Sequence, residues 1–158
     1  MILVRAAADL DAARAVDVVR RSIADLCRRD PCLGPDTLQR WLANKTPENF
    51  LAWIAHAQSY CAVGEIDGIP AGVGLLRRSG EIQLFYVAPE AQRQGLGRAI
   101  HDAVEAQARH WNLDGLHLCS TTLARPFYEA LGYRACGPER RLFGELRCHP
   151  YRKPLERI

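Results

Sequence analysis

Gln92, Gly95 and Gly97 stand at the spacing Gln-x-x-Gly-x-Gly, just after the turn residue Pro89 and at the opening of a long helical pattern. The chemistry these residues serve is anion binding. The first turn of a helix carries N–H groups with no internal partner and a partial positive charge. Glycines at that junction let backbone donors approach a phosphate without interference from Cβ atoms. Arg93 and Arg98 flank the glycines; they either add charge near a phosphate or stand solvated at a helix start. Two other phosphate loops do not fit. A dinucleotide fingerprint needs a third glycine where Ile100 stands, and a P-loop needs Gly-Lys-Ser/Thr where the chain reads Gly97-Arg98-Ala99.

Periodicity and chain breakers indicate the elements that hold this loop. Ile2 to Arg5 reads as an edge strand. Asp9 is placed to cap a helix from about Leu10 to Arg29, with Ala12, Val16, Val19, Ile23 and Leu26 on one face. Asp30-Pro31 ends it. Shorter helices are expected over Pro35–Leu42 and from Thr46-Pro47-Glu48 through Ala55. Tyr60–Ile66, Pro70–Arg77 and Glu81–Ala88 form an antiparallel meander that turns at Asp67-Gly68 and Ser79-Gly80. A helix from Gly95 to about His110 puts Leu96, Ile100, Val104, Ala108 and Trp111 on one stripe, and Leu116–Ser120 is the next strand. Leu123–Leu131 is a short helix closed by Gly132, and Tyr133–Gly137 and Leu146–Leu155 are final strands. This order defines a mixed α/β (α+β) chain.

Composition narrows the class. The 158 residues are 48% hydrophobic and 25% charged, as expected for one globular domain over 1–158. A net charge of +3 is too mild to argue for nucleic acid, and no helix clusters Arg and Lys for that purpose. Met1-Ile2-Leu3-Val4-Arg5 leads straight to Asp9 and Asp11, so neither a leader nor a membrane span is expected. The six cysteines, at 27, 32, 61, 119, 136 and 148, include no Cys-x-x-Cys pair. They are expected to be buried free thiols of a cytoplasmic protein, with no metal site.

Two blocks together point further. Gln92-x-x-Gly95-x-Gly97 after Val87-Ala88-Pro89 resembles the acetyl-CoA-binding motif of the GNAT superfamily of N-acetyltransferases. Thr121-x-x-Ala124-Arg125-Pro126-Phe127-Tyr128-Glu129-Ala130-Leu131-Gly132-Tyr133 resembles that superfamily's later helix, with its tyrosine and closing glycine–aromatic pair. Both come in the family's order, and the resemblance covers Tyr60 to Tyr133. It implies a mixed, mostly antiparallel central sheet of six to seven strands with about four helices. Strands Glu81–Ala88 and Leu116–Ser120 would splay into a V-shaped cleft, and a bulge near Tyr86 would provide the splay.

The resemblance also implies roles. Backbone from Gln92 through Arg93, Gln94, Gly95 and Leu96 to Gly97 would hold the coenzyme pyrophosphate, with Arg98 beside it. Phe85, Tyr86 and Val87 would pair with the pantetheine arm. Thr121 stands where many relatives carry asparagine. Tyr128 would be the general acid for the departing thiol, and Glu81 the base, with Glu65, His117 or ordered water as alternatives. Acetyl-CoA is the implied co-substrate and a small-molecule or peptide amine the implied acceptor. Trp41, Phe50, Trp53 and the basic residues Arg140, Arg141, Arg147, Arg152 and Lys153 are candidates for the acceptor wall, the aromatics being as readily core and the basic cluster solvated surface. A sensor that binds acyl-CoA without efficient transfer is the alternative reading, and a homodimer is plausible because sheet edges need covering.

Overall fold

The computed structural model describes residues 1–156. The elements in chain order are β1 (Ile2–Ala6), α1 (Ala12–Arg29), α2 (Pro35–Leu42), α3 (Pro47–Ala55), β2 (Ser59–Ile66), β3 (Ile69–Arg77), β4 (Ile82–Val87), α4 (Leu96–His110), β5 (Gly115–Ser120), α5 (Arg125–Ala130), β6 (Arg134–Ala135), β7 (Arg140–Phe143) and β8 (Leu146–Pro154). The meander, the long helices and the strand after α4 fall where periodicity put them. β7 is an addition: it forms a hairpin with β8 through Gly144, at φ 52°. Three exposed residues in its four leave no alternation to read.

The α1 start differs in one respect. A 3-10 turn at Asp9–Asp11 precedes the helix, and Leu10 is exposed. Asp11, not Asp9, does the capping work. Its carboxylate accepts from the Ala8 N–H at 2.7 Å and from both terminal nitrogens of Arg5 at 2.8 Å. The Arg5 guanidinium holds the Asp11 carboxyl below its ordinary value.

The strands form two four-stranded groups. One has the antiparallel order β1-β2-β3-β4; in the other β8 pairs with β5, β6 and β7. The groups touch where His117 N–H donates to Gly80 O at 2.9 Å and Glu81 bridges His117 in parallel. Beyond that point β4 and β5 part, which is the expected splay.

The β4 bulge lies at Gln83, not near Tyr86. Leu75 opposes Leu84 and Leu76 opposes Ile82, so Gln83 is the extra residue, whereas Phe85 and Tyr86 stay in register with Gly74 and Val73. The extra residue shifts the alternation. Leu84 joins the α1-side core and Phe85 the α4-side core.

Helix α4 lies on one face of the first sheet and α1 on the other. Alternate strand residues feed the two cores: Leu76 packs with Ile100 and Val104, and Leu75 with Val19 and Ile23. Each fully buried aliphatic side chain of this kind contributes roughly 1.5–3 kcal/mol. Helix α4 sits close because glycines lie beneath it. A Cβ on Gly64 would meet Leu96 Cδ1 at 2.7 Å, and one on Gly74 would meet Ile100 Cγ2 at 2.9 Å. That track fixes where the helix begins, and so where the loop before it stands.

Candidate active site

The loop ahead of α4 is built from two left-handed residues, Arg93 at φ 62° and Gly95 at φ 87°. Gly95 is the N-cap of the helix, and its conformation is one that a side chain disfavours. Ala99 N–H makes the first helical bond, to Gly95 O at 3.1 Å. The amides of Leu96, Gly97 and Arg98 are therefore the free donors of the first turn. Gly97 serves closeness instead: its Cβ would stand 3.1 Å from Phe127 Cε2, so a larger residue would push α5 away. The loop is braced from outside. Gln94 Nε2 donates to Glu90 O at 3.0 Å, and Arg21 of α1 reaches the Glu90 carboxylate at 2.6 and 2.8 Å.

This loop opens into a cleft of about 470 Å³ between β4 and β5. Of the expected coenzyme residues, Phe85, Tyr86, Val87, Gln92, Arg93, Gly95, Gly97, Arg98, Thr121 and Tyr128 line it. Gln94 and Leu96 do not; the Gln94 side chain faces the Glu90 carbonyl, and Leu96 is fully buried under the sheet. One edge of β4 pairs with β3, and past the Glu81–His117 bridge its other edge is paired with no strand among the described residues. Thr121 Oγ1 accepts from the Ala124 N–H at 3.3 Å, which commits it to the turn before α5.

Tyr128 is 6% exposed. Its ring is held edge-on by Phe85, Phe127 and Tyr133 at centroid distances of 6.1, 5.2 and 5.5 Å. No side chain among the described residues hydrogen-bonds its hydroxyl. Burial, with a smaller contribution from Tyr86, raises its pKa well above the ordinary phenol value, so it stays protonated. Tyr86 is also fixed. Trp41 Nε1 donates to its hydroxyl at 3.3 Å, and burial pushes the phenol up to about 12.

The candidate bases lie elsewhere. Glu81 is exposed at the vertex where the sheets meet, on the face opposite Phe85, and does not line the cleft. Glu65 accepts from Arg5 Nε at 3.2 Å on the β1–β2 side, and His117 borders a separate depression with Ser79 and Arg152. Among the described residues lining the cleft there is no carboxylate and no imidazole; the charged ones are Arg29, Arg93 and Arg98.

None of the residues expected on the acceptor side lines this cleft. Trp41 and Phe50 are buried in the α1-side core and Trp53 packs against it, while Arg140, Arg141, Arg147, Arg152 and Lys153 do not border the cleft. The C-terminal half of α1 lines the cleft instead, through Ser22, Leu26 and Arg29. Nothing in the sequence marks these residues, since only the crossing of α1 over β4 brings them there. The cysteine reading needs correction as well. Cys119 and Cys148 form a disulfide across β5 and β8, and of the four free thiols only Cys27 and Cys61 are buried. The pair lies 29 residues apart and is joined only by strand pairing.

Residues 30–155 match the family model described as an acetyltransferase (GNAT) domain. The chain belongs to the GNAT family. A Bacillus subtilis relative named as a candidate acetyltransferase is 30% identical over 79 residues; the match spans 48% of this chain and about half, 54%, of the relative. Among solved structures, a GCN5-related N-acetyltransferase from Rhodopseudomonas palustris superposes with a TM-score of 0.85 at 22% identity, over 97% of this chain and 95% of its own. The PaiA N-acetyltransferase from Thermoplasma acidophilum, solved in complex with coenzyme A, superposes at 0.82 with 16% identity, over 98% and 99% of the two chains. The two-sheet split and the loop before α4 are thus part of a GNAT fold. Among the described residues no helix is long and apolar enough to cross a membrane, and no group of three or more His, Cys, Asp or Glu side chains could hold a metal ion.

Proposed function

We propose that this GNAT protein transfers an acetyl group from acetyl-CoA to a primary amine by direct attack in a ternary complex. One observation carries the reading: the free amides at the start of α4 and the hydroxyl-bearing Tyr128 open into one cleft. The residues fit the coenzyme. Free N–H donors, Arg93 and Arg98 suit a pyrophosphate, and the unpaired edge of β4 suits an amide-bearing arm laid alongside it as an added strand. When bound, acetyl-CoA supplies the acyl group as an activated thioester.

Backbone N–H groups on the open edge of β4 offer donors for the oxyanion that develops on the acetyl carbonyl. Tyr128, which lines the same cleft, would serve the departing sulfur. A thiol ionises near 8.5 and the Tyr128 phenol far higher, so Tyr128 stabilises the thiolate by hydrogen-bond donation and solvent completes protonation. For the amine, a cleft bearing three arginines and no acid disfavours the ammonium form. The amine then loses its proton to water rather than to a side chain.

The missing carboxylate and imidazole also favour a second reading, an acyl-CoA-binding sensor of the same fold. An amine panel incubated with acetyl-CoA, reading free thiol release and acetylated product, decides. Acceptor-dependent thiol release supports the transferase; tight coenzyme binding with no transfer to any amine supports the sensor.

A further inference from the structure

The Cys119–Cys148 disulfide joins two strands already paired by a hydrogen-bonded ladder, and it does so at the cleft. Cys119 sits on β5 two residues beyond the vertex at His117, its side chain is exposed, and it lines the same cleft as Tyr128, Phe85 and Gly97. Cys148 is 2% exposed behind it on β8. The disulfide therefore presents one sulfur to the cleft and hides the other. Under the reading of the cleft as a coenzyme A site, every acetyl transfer leaves a free thiol in the cleft that an accessible disulfide sulfur also lines. Arg29, Arg93 and Arg98, with no acid among the lining residues, favour the thiolate form of that thiol.

We propose that Cys119 is a thiol-exchange site for coenzyme A. The thiolate sulfur of the bound coenzyme attacks Sγ of Cys119 and forms a new S–S bond. The Cys119–Cys148 bond breaks, its electron pair leaves on Sγ of Cys148, and that sulfur takes a proton from solvent. One thiol and one disulfide are consumed and one of each is formed, so no outside oxidant is needed. Attack falls on Cys119 because access decides which sulfur is struck. Cys148 is buried, so the departing thiolate is poorly solvated and the step is slowed; the high local concentration of a thiol bound in the cleft offsets this. The product carries coenzyme A tethered in its own site, so the exchange silences the protein when product accumulates under oxidising conditions, and reductant reverses it.

The inference rests on the coenzyme reading of the cleft, and the test separates the two. The full chain, purified without reductant, is first peptide-mapped unreduced and then incubated with coenzyme A, with glutathione, or with coenzyme A plus excess acetyl-CoA. Calorimetry measures coenzyme A binding in parallel, and Cys119→Ser is the control. The expected result is one coenzyme A per chain on Cys119, formed at least about tenfold faster than the glutathione adduct, suppressed by acetyl-CoA and absent in Cys119→Ser. Free thiols at both positions in the purified protein overturn the proposal. So does equal labelling by glutathione, or no adduct in a protein that binds coenzyme A. No binding at all overturns the proposal and the transferase reading together.

Discussion

Tyr128 on α5 and Phe85 on β4 meet edge-on across the split between the two sheets, with ring centroids 6.1 Å apart. The contact ties the hydroxyl proposed to stabilise the thiolate to the strand expected to carry the coenzyme arm. Phe127, one residue earlier, packs 5.6 Å from the same Phe85 ring and against Gly97 at the start of α4. Tyr128 and the loop before α4 are thus set against each other through two aromatic rings.

Tyr128→Phe keeps this ring packing and removes only the hydroxyl. Turnover should fall by about ten- to a thousand-fold while the affinity for coenzyme A stays within about threefold. Steady-state kinetics with calorimetry reads both. Turnover equal to wild type would remove Tyr128 from the mechanism.

Glu81→Gln should leave turnover within about threefold of wild type, because Glu81 lies at the sheet vertex outside the cleft. A loss beyond about a hundredfold, with the fold intact by circular dichroism, would restore Glu81 as the base.

The two loop glycines should separate. Gly95→Glu forces a side chain into φ 87° and adds a negative charge to the phosphate cradle, so coenzyme A affinity should weaken by about tenfold or more. Gly97→Val should instead press on Phe127 and displace α5, lowering turnover more than affinity. Undiminished coenzyme binding in Gly95→Glu would sink the phosphate-loop assignment.

His101 on α4 is 1% exposed, with Nε2 2.7 Å from the Tyr133 hydroxyl. Burial, aided by the charge of Lys153, lowers its pKa to about 4, whereas in the unfolded chain it titrates near 6.5. Above about pH 6.5 neither state is protonated and the full stability is present. Between about 6.5 and 4 only the unfolded chain gains the proton, so stability falls as pH falls, by roughly 2–4 kcal/mol across the window. Urea unfolding at about pH 7 and 4.5 should show a larger loss of stability in wild type than in His101→Gln, which keeps only the smaller loss from paired carboxylates such as Asp11. Equal acid sensitivity in the two proteins would refute it.

Much of this protein is legible in one dimension. The helices α1 and α4, the meander, and the anion-binding junction at Gln92–Gly97 follow from local rules: apolar period, turn residues and the free donors of a helix start. Those rules act within a few residues, so the sequence alone determines them. It could not determine what meets what across the split. Glu81 reads as a cleft residue until the extra residue at Gln83 shifts the alternation and leaves it on the opposite face from Phe85. Ser22, Leu26 and Arg29 read as an ordinary helix, and Cys119 and Cys148 as unrelated thiols, until α1 crosses β4 and β8 returns beside β5. These are contacts between distant parts of the chain, set by sheet register and helix packing, and only the tertiary structure decides them.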